Sequence, residues 1–239
     1  RKYVHPFTLV RFELSLTLVT INRTKNMPAS KTLNLAILIS GSGTTLQNII
    51  DRINDSDLNA RIQVVVCNSP DAYGIKRAEK NSIPTAIVQR KDHNQSETFS
   101  NAIIEEIEKY SVDLIILAGF LHLFKIPETY AGKVMNIHPG LIPSFCGKGY
   151  YGHHVHKAAI ESGVKISGCT VHFVDNEYDR GPIIIQRTVH VNADDTPDTL
   201  AQKVFKEECI AYPEAIRLFA EGRLKIDGRK VMISESVKK

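Results

Sequence analysis

Residues 33–47 read LNLAILISGSGTTLQ, and residues 46–50, LQNII, carry on with helical spacing. A short apolar run without polar alternation suits a strand buried on both faces. Two glycines at its end let the backbone turn sharply into a helix. Such a hand-over is where α/β proteins hold an anion, because backbone N–H groups and the positive end of the helix dipole converge there. The stretch is read as a strand over 35–39, a glycine turn, and a helix to about residue 53.

The pattern then repeats. Residues 61–67 (RIQVVVC), 85–88, 113–117 (DLIIL) and 133–137 (KVMNI) read as further strands, and the spacing predicts helices over 75–81 and 97–110. Short apolar strands alternating with helices predict an α/β fold: a mostly parallel, Rossmann-like sheet with helices on both faces. Right-handed crossovers bring the carboxyl ends of such strands to one edge, where ligands bind. Beyond residue 145 the character changes. Residues 167–174 and 182–191 read as a C-terminal antiparallel hairpin joined by the 176–181 loop, and 200–220 as a long closing helix. The domain is placed at 32–226, between a basic extension, 1–31, and a tail, 227–239.

The chain is 43% hydrophobic and 23% charged, enough apolar content for a sizeable core. No apolar run approaches the roughly 20 residues of a membrane helix. The net charge of +4 is unevenly spread: residues 1–31 hold six basic side chains against Glu13, a net +5, so the remainder carries −1. That body gives no electrostatic case for nucleic acid. The extension is read as a disordered or non-native arm, with Met27 an alternative start, although a transit peptide has a similar composition. Cys67, Cys146, Cys169 and Cys209 form no Cys-x-x-Cys pair and read as reduced thiols of a cytoplasmic protein.

Three groups of residues carry chemistry. The turn Ser40-Gly41-Ser42-Gly43-Thr44-Thr45-Leu46 lacks the Gly-Lys-[Ser/Thr] of a nucleoside triphosphate loop, and Leu46 stands where a dinucleotide loop has its third glycine. It suits a single phosphate; the plain alternative is a capped strand-to-helix turn. Asn136 and His138 are two apart in a strand, so both point to one side, and Pro139 stops the strand behind them. An amide can donate to a developing oxyanion, and an imidazole can shuttle a proton near neutrality. Asp179 could orient that imidazole, although a turn aspartate is the plain alternative.

Residues 37–46, Leu117-Ala118-Gly119-Phe120, NIHPGLIPSF from Asn136, Gly168-Cys169-Thr170-Val171-His172-Phe173-Val174 and Asp179-x-Gly-Pro together resemble the folate-dependent phosphoribosylglycinamide formyltransferases of purine synthesis. The likeness runs from about 33 to about 224. It implies a formyl transfer from 10-formyltetrahydrofolate, as co-substrate, to the amine of glycinamide ribonucleotide, without a metal. It implies that Asn136, His138 and Asp179 are catalytic, with Asn136 and an imidazolium at His138 facing the oxyanion. It implies that Gly43, Thr44, Thr45 and Glu208 hold the ribonucleotide. Leu121, His122, Leu123, Phe124, Asn136, Asp175, Asn176, Glu177, Tyr178 and Asp179 would line the folate site. The implied partners are small molecules only, with neither nucleic acid nor membrane, on a monomer or homodimer.

The chain departs from the family at three places. Gly140 stands where serine is common, Ser96 where some members place an arginine near the folate tail, and the stretch 145–153 (FCGKGYYGH) is longer. Methionyl-tRNA formyltransferase and formyltetrahydrofolate deformylase share the Asn-His-Asp set. The first would need a basic RNA-binding domain after the core, and the second a regulatory domain before it. A non-catalytic nucleotide-binding protein on the same sheet is the reading from another class. Gly152-His153-His154-Val155-His156 has no Asp, Glu or Cys to complete a metal site, and His172 is expected to face inward as a support.

Overall fold

The structure is a computed structural model and describes residues 31–235; the 1–30 stretch of the basic extension lies outside them. Its strands are β1 (Leu33–Ile39), β2 (Ala60–Cys67), β3 (Thr85–Ile87), β4 (Leu114–Leu117), β5 (Val134–His138), β6 (Ile166–Phe173), β7 (Ile183–His190), β8 (Leu224–Asp227) and β9 (Lys230–Ile233). Its α-helices are α1 (Thr44–Asn54), α2 (Tyr73–Lys80), α3 (Ser96–Ile107), α4 (His153–Ser162) and α5 (Pro197–Ala220). All nine strands form one sheet, in the order β3-β2-β1-β4-β5-β6-β7-β9-β8. Strands β1 to β5 pair in parallel, and β6 and β7 continue antiparallel.

The sheet is covered on both faces because its central strands are apolar on both. Leu35, Ile37 and Ile39 point to one layer, packed with Leu46, Ile49, Ala211, Tyr212 and Ile216 of α1 and α5. Ala36 and Leu38 point to the other, packed with Phe99, Ile103 and Ile107 of α3. Strand order reverses between β1 and β4, which opens a crevice at their carboxyl ends. Ser40, after β1, accepts a hydrogen bond across that crevice from Leu121 N–H at 3.0 Å, after β4.

Two local devices fix the glycine turn. Gly43 is left-handed (φ 69°), and a Cβ on it would stand 2.7 Å from Gly74 Cα at the start of α2. Gly74 N–H donates to the Gly41 carbonyl at 3.0 Å, and Arg77 Nε–H to the Ser42 carbonyl at 2.9 Å. The glycine missing from the third position of the turn therefore has a counterpart on a different helix.

The second device is Pro213, inside α5. A helical proline leaves the carbonyl four residues earlier without its N–H donor. That carbonyl, of Cys209, accepts instead from Asn48 Nδ2 and Arg52 of α1, each at 3.3 Å. α5 is thus docked on α1 one turn beyond Thr44 and Thr45.

The sequence reading of residues from 227 onward as a tail does not describe 227–233. There Asp227 and Lys230 close a hairpin across Gly228 (φ 56°), and β9 joins the sheet beside β7. The alternation LKID…KVMI around Asp-Gly was a hairpin signal.

Tyr212 is fully buried, and its hydroxyl points between the Leu117 and Met135 carbonyls of β4 and β5, at 3.0 and 2.9 Å. Tyr212→Phe removes this donor and leaves the pair in a dry interior. It is expected to cost about 1–3 kcal/mol of stability in urea unfolding, with the slope unchanged.

Candidate active site

β5 ends at the sheet's carboxyl edge with Asn136 and His138 in one row, while Met135 and Ile137 face the opposite layer. β6 runs antiparallel beside it and sets His172 directly opposite Asn136 and Thr170 opposite His138. Buried Thr170 holds the turn after His138: its hydroxyl donates to the Gly140 carbonyl at 2.7 Å and accepts from Ile142 N–H at 3.1 Å. Gln186 Nε2 supports the same hydroxyl at 3.0 Å.

Asp179 arrives from the β6–β7 connection. A tight return brings it there: a Cβ on Gly181 would stand 1.8 Å from the Phe173 carbonyl oxygen, so only glycine fits. Asp179 itself is left-handed, φ 53°, which is uncommon for a residue with a side chain. Its Oδ1 lies 3.4 Å from Asn136 Nδ2 and 3.6 Å from His172 Nε2, and its Oδ2 lies 3.6 Å from His138 Nδ1. Gly147 N–H donates to Oδ2 at 2.9 Å. The three residues that the sequence singles out as a trio thus meet, with His172 as a fourth member.

The electrostatics follow from this crowding. Burial pushes the Asp179 carboxyl up, but the close approach of His172, the attraction of His138 and the Gly147 N–H outweigh it and hold it below the usual carboxylate range. For His138, 3% exposed, burial wins over the attraction of Asp179 and the Phe145 carbonyl and pulls it below its ordinary 6.5. Its Nε2–H donates to the Phe145 carbonyl at 2.9 Å. With that proton on Nε2, the ring turns Nδ1 toward Asp179. His172 Nδ1–H donates to its neighbour's Phe173 carbonyl at 2.8 Å, which leaves Nε2 to accept from Asn136 Nδ2 at 3.2 Å.

This cluster forms the floor of a cavity of about 370 Å³. Leu121, His122, Leu123 and Phe124 form one wall; Asp175, Glu177, Tyr178 and Asp179 another; and Lys148, Tyr150 and Tyr151 of the long loop a third. Behind the first wall Phe120 stacks on Phe99 at 6.1 Å and meets Phe124 edge-on at 6.4 Å, a rigid apolar backing. Burial, with Arg90 nearby, pulls the His122 imidazole down, so it adds polarity without charge.

One expected lining residue falls elsewhere. Asn176 turns away from the cavity: its Oδ1 accepts from Ile126 N–H at 2.8 Å and its Nδ2 donates to the Ile126 carbonyl at 3.3 Å. Its amide mimics a paired backbone and is consumed in holding residues 125–127. Ser96, at the start of α3, lies in a separate depression with Lys125 and Asn176.

Gly43, Thr44 and Thr45 stand at the mouth of α1, where no side chain caps the helix and the first N–H groups remain available. Glu208 is half-buried on α5 beside Cys209, the residue docked on α1. Burial pushes its carboxyl up to about 7, and it has no hydrogen-bond or ion-pair partner among the described residues. Sequence reasoning missed Thr170, Gln186, Gly74 and Asn48; each is an ordinary strand or helix residue whose partner is distant in the chain.

The histidines of α4 diverge. His153 pairs with Asp198 at 3.1 Å and His154 meets Tyr151 edge-on at 5.0 Å. His156 is buried, pulled down to about 4 by that burial, with Nδ1 unpartnered among the described residues. No group of three or more His, Cys, Asp or Glu placed to hold a metal occurs among the described residues. None of their helices is long and apolar enough to cross a membrane.

A family model described as formyl transferase matches residues 33–216. The phosphoribosylglycinamide formyltransferase of Haemophilus influenzae is 39% identical over 194 residues, which is 80% of this chain and 89% of that protein. The trifunctional purine biosynthetic protein adenosine-3 of Gallus gallus is also 39% identical over 194 residues, but the chain spans only 19% of its length. A crystal structure of glycinamide ribonucleotide transformylase 1 from Symbiobacterium toebii superposes with a TM-score of 0.80 at 40% identity, covering 85% of this chain and 95% of that one. With its signature residues gathered at one sheet edge and its match running through the described core, this chain belongs to the formyl transferase family.

Proposed function

We propose that this chain transfers the formyl group of 10-formyltetrahydrofolate to the amine of N1-(5-phospho-D-ribosyl)glycinamide, a step of de novo purine synthesis in the cytoplasm. The observation that carries this reading is the convergence of Asn136 Nδ2 and His138 Nδ1 on the Asp179 carboxylate, at 3.4 and 3.6 Å, on the floor of the cavity. The apolar, aromatic-backed wall at 121–124 suits a flat pterin. The uncapped start of α1, with half-buried Glu208 on the helix docked against α1, suits a phosphate and the ribose that carries it.

In this reading the amine attacks the formyl carbon, and Asn136 Nδ2–H donates to the oxygen that gains charge. His138 Nδ1 takes the proton released by the amine, and Asp179 stabilises the imidazolium so formed. The same Nδ1–H then protonates the departing folate nitrogen as its bond to carbon breaks and the carbonyl re-forms. The imidazole ends as it began. Burial lowers the His138 imidazole below its ordinary value, so this reading starts from the neutral ring, where the family resemblance implies the imidazolium.

Mixing protein, ribonucleotide and 10-formyltetrahydrofolate should give a folate absorbance change that needs the ribonucleotide. Asn136→Ala and His138→Ala should each lower kcat by on the order of a hundred- to thousandfold. Turnover that persists without the ribonucleotide, or that is equal in the variants, would overturn the proposal.

The pH dependence has a definite sign. In this reading activity needs neutral His138, so kcat should fall as pH drops through a value below 6.5, while Asp179, held below the usual carboxylate range, stays charged near neutrality. A kcat that rises on acidification through this range would contradict the neutral starting form.

Gly43→Ala tests the ribonucleotide side. It places a side chain at φ 69°, 2.7 Å from Gly74 Cα. The substitution should cost about 1–2 kcal/mol of stability and raise the ribonucleotide KM, with the folate KM little changed.

A further inference from the structure

The long loop between β5 and α4 leaves the cavity floor at Gly147, whose N–H donates to Asp179 Oδ2 at 2.9 Å. A tight turn follows. Tyr150 N–H donates to the Gly147 carbonyl at 3.0 Å, and Gly149, third of the four residues, has φ 93°. A positive φ at that position belongs to a type II turn, where glycine is favoured. Lys148 stands at the tip of this turn and lines the cavity. Tyr150 and Tyr151, 40% and 46% exposed, continue the same wall. Their rings are braced from behind, Tyr150 by Phe145 at 6.4 Å and Tyr151 by His154 at 5.0 Å.

The charges around the cavity are uneven. Asp175, Glu177 and Asp179 bring three carboxylates to its lining, and Lys148 is the one lysine or arginine there. Cations beyond the lining are occupied. Arg180 pairs with Glu177 at 3.1 Å, Lys125 donates to the Asn176 carbonyl at 2.8 Å, and Arg90 donates to the His93 carbonyl with its guanidinium over the Phe99 ring. The Lys148 ammonium has no hydrogen-bond or ion-pair partner among the described residues. Of the two anionic groups in the reaction assigned above, the ribonucleotide phosphate has its place at the start of α1, and Gly43, Thr44 and Thr45 do not line this cavity. The other is the glutamate of the folate, beyond its p-aminobenzoyl ring.

We propose that Lys148 pairs with the glutamate carboxylates of the folate and so selects a donor that carries this anionic tail; the inference rests on the formyl-transfer reading. With the pterin on the 121–124 wall and the formyl-bearing nitrogen over the floor, the p-aminobenzoyl ring leads outward to the rim. Tyr150 and Tyr151 offer it aromatic surface on the way. The carboxylates of the 175–179 wall repel an anionic tail and the Lys148 ammonium attracts it, so the charge pattern itself steers the tail to the loop. Ser96 offers no such cation and lies in a separate depression. The added length of the loop thus supplies a charge that α3 does not.

The test is titration calorimetry, with oxygen excluded, of two ligands: tetrahydrofolate, and the tetrahydropteroyl methylamide, which ends in a neutral amide in place of glutamate. At low salt the unsubstituted protein should bind tetrahydrofolate about threefold to tenfold more tightly than the amide, and added salt should shrink that ratio. Lys148→Met keeps the length of the side chain without its charge. It should bring the ratio close to one by weakening tetrahydrofolate alone, and Lys148→Arg should preserve the ratio. An unchanged ratio in Lys148→Met would overturn the proposal, and so would an equal loss for both ligands, which would mean that the lysine shapes the loop rather than meets the tail. A raised ribonucleotide KM in Lys148→Met with tetrahydrofolate binding intact would give the lysine to the phosphate instead and overturn it as well. Binding is read without turnover. Loss of the tail preference in Lys148→Met, in a protein that transfers no formyl group, would sink the functional reading alone; formyl transfer without that loss would sink this inference alone; failure to bind either ligand would sink both.

Discussion

The site depends on one ionised carboxylate held out of water. Asp179 is 11% exposed, and a charge so placed is costly unless it is surrounded by donors. Its partners come from segments far apart in the chain: Asn136 on β5 and Gly147 in the long loop donate N–H groups to it, and the rings of His138 on β5 and His172 on β6 face it. Each of these segments is tied to the others through that single group. The tight return at Gly181 and the strained φ of Asp179 are the local cost of bringing it there.

The sheet supplies the second constraint. Reversal of strand order between β1 and β4 creates the crevice, and the loops that leave it on either side are joined by the Ser40–Leu121 hydrogen bond. On the phosphate side, rigidity comes from the close approach of Gly43 to Gly74 and from the Cys209 carbonyl, freed by Pro213 and captured by the Asn48 and Arg52 side chains of α1. The proposed formyl donor and acceptor would thus approach the same strand ends from two independently braced walls.

Much of this was legible in the sequence, for physical reasons. LNLAILI and RIQVVVC are apolar on both faces, so they could only be central strands, and Asn136 and His138 share a side because strands have a period of two. The β6–β7 pairing followed from two extended runs flanking a turn. Other features leave no local trace. Nothing near Asp179 reports that it reaches His138, since the distance closes only when β6 pairs with β5. Asn176 has the composition of a site residue, yet its amide matches the Ile126 backbone and is spent there. The β8–β9 hairpin was missed because its strands are short and mostly exposed, so the Asp227-Gly228 turn was the sole strong cue.

The central claim is that the charge of Asp179, and not merely its shape, makes the site work. Asp179→Asn keeps the volume and the contact to Gly147 while removing that charge, so kcat with ribonucleotide and folate measures the claim directly. The account predicts a folded protein that still binds both substrates and turns over on the order of a hundredfold or more slowly. Turnover within a few-fold of the unsubstituted protein would contradict it.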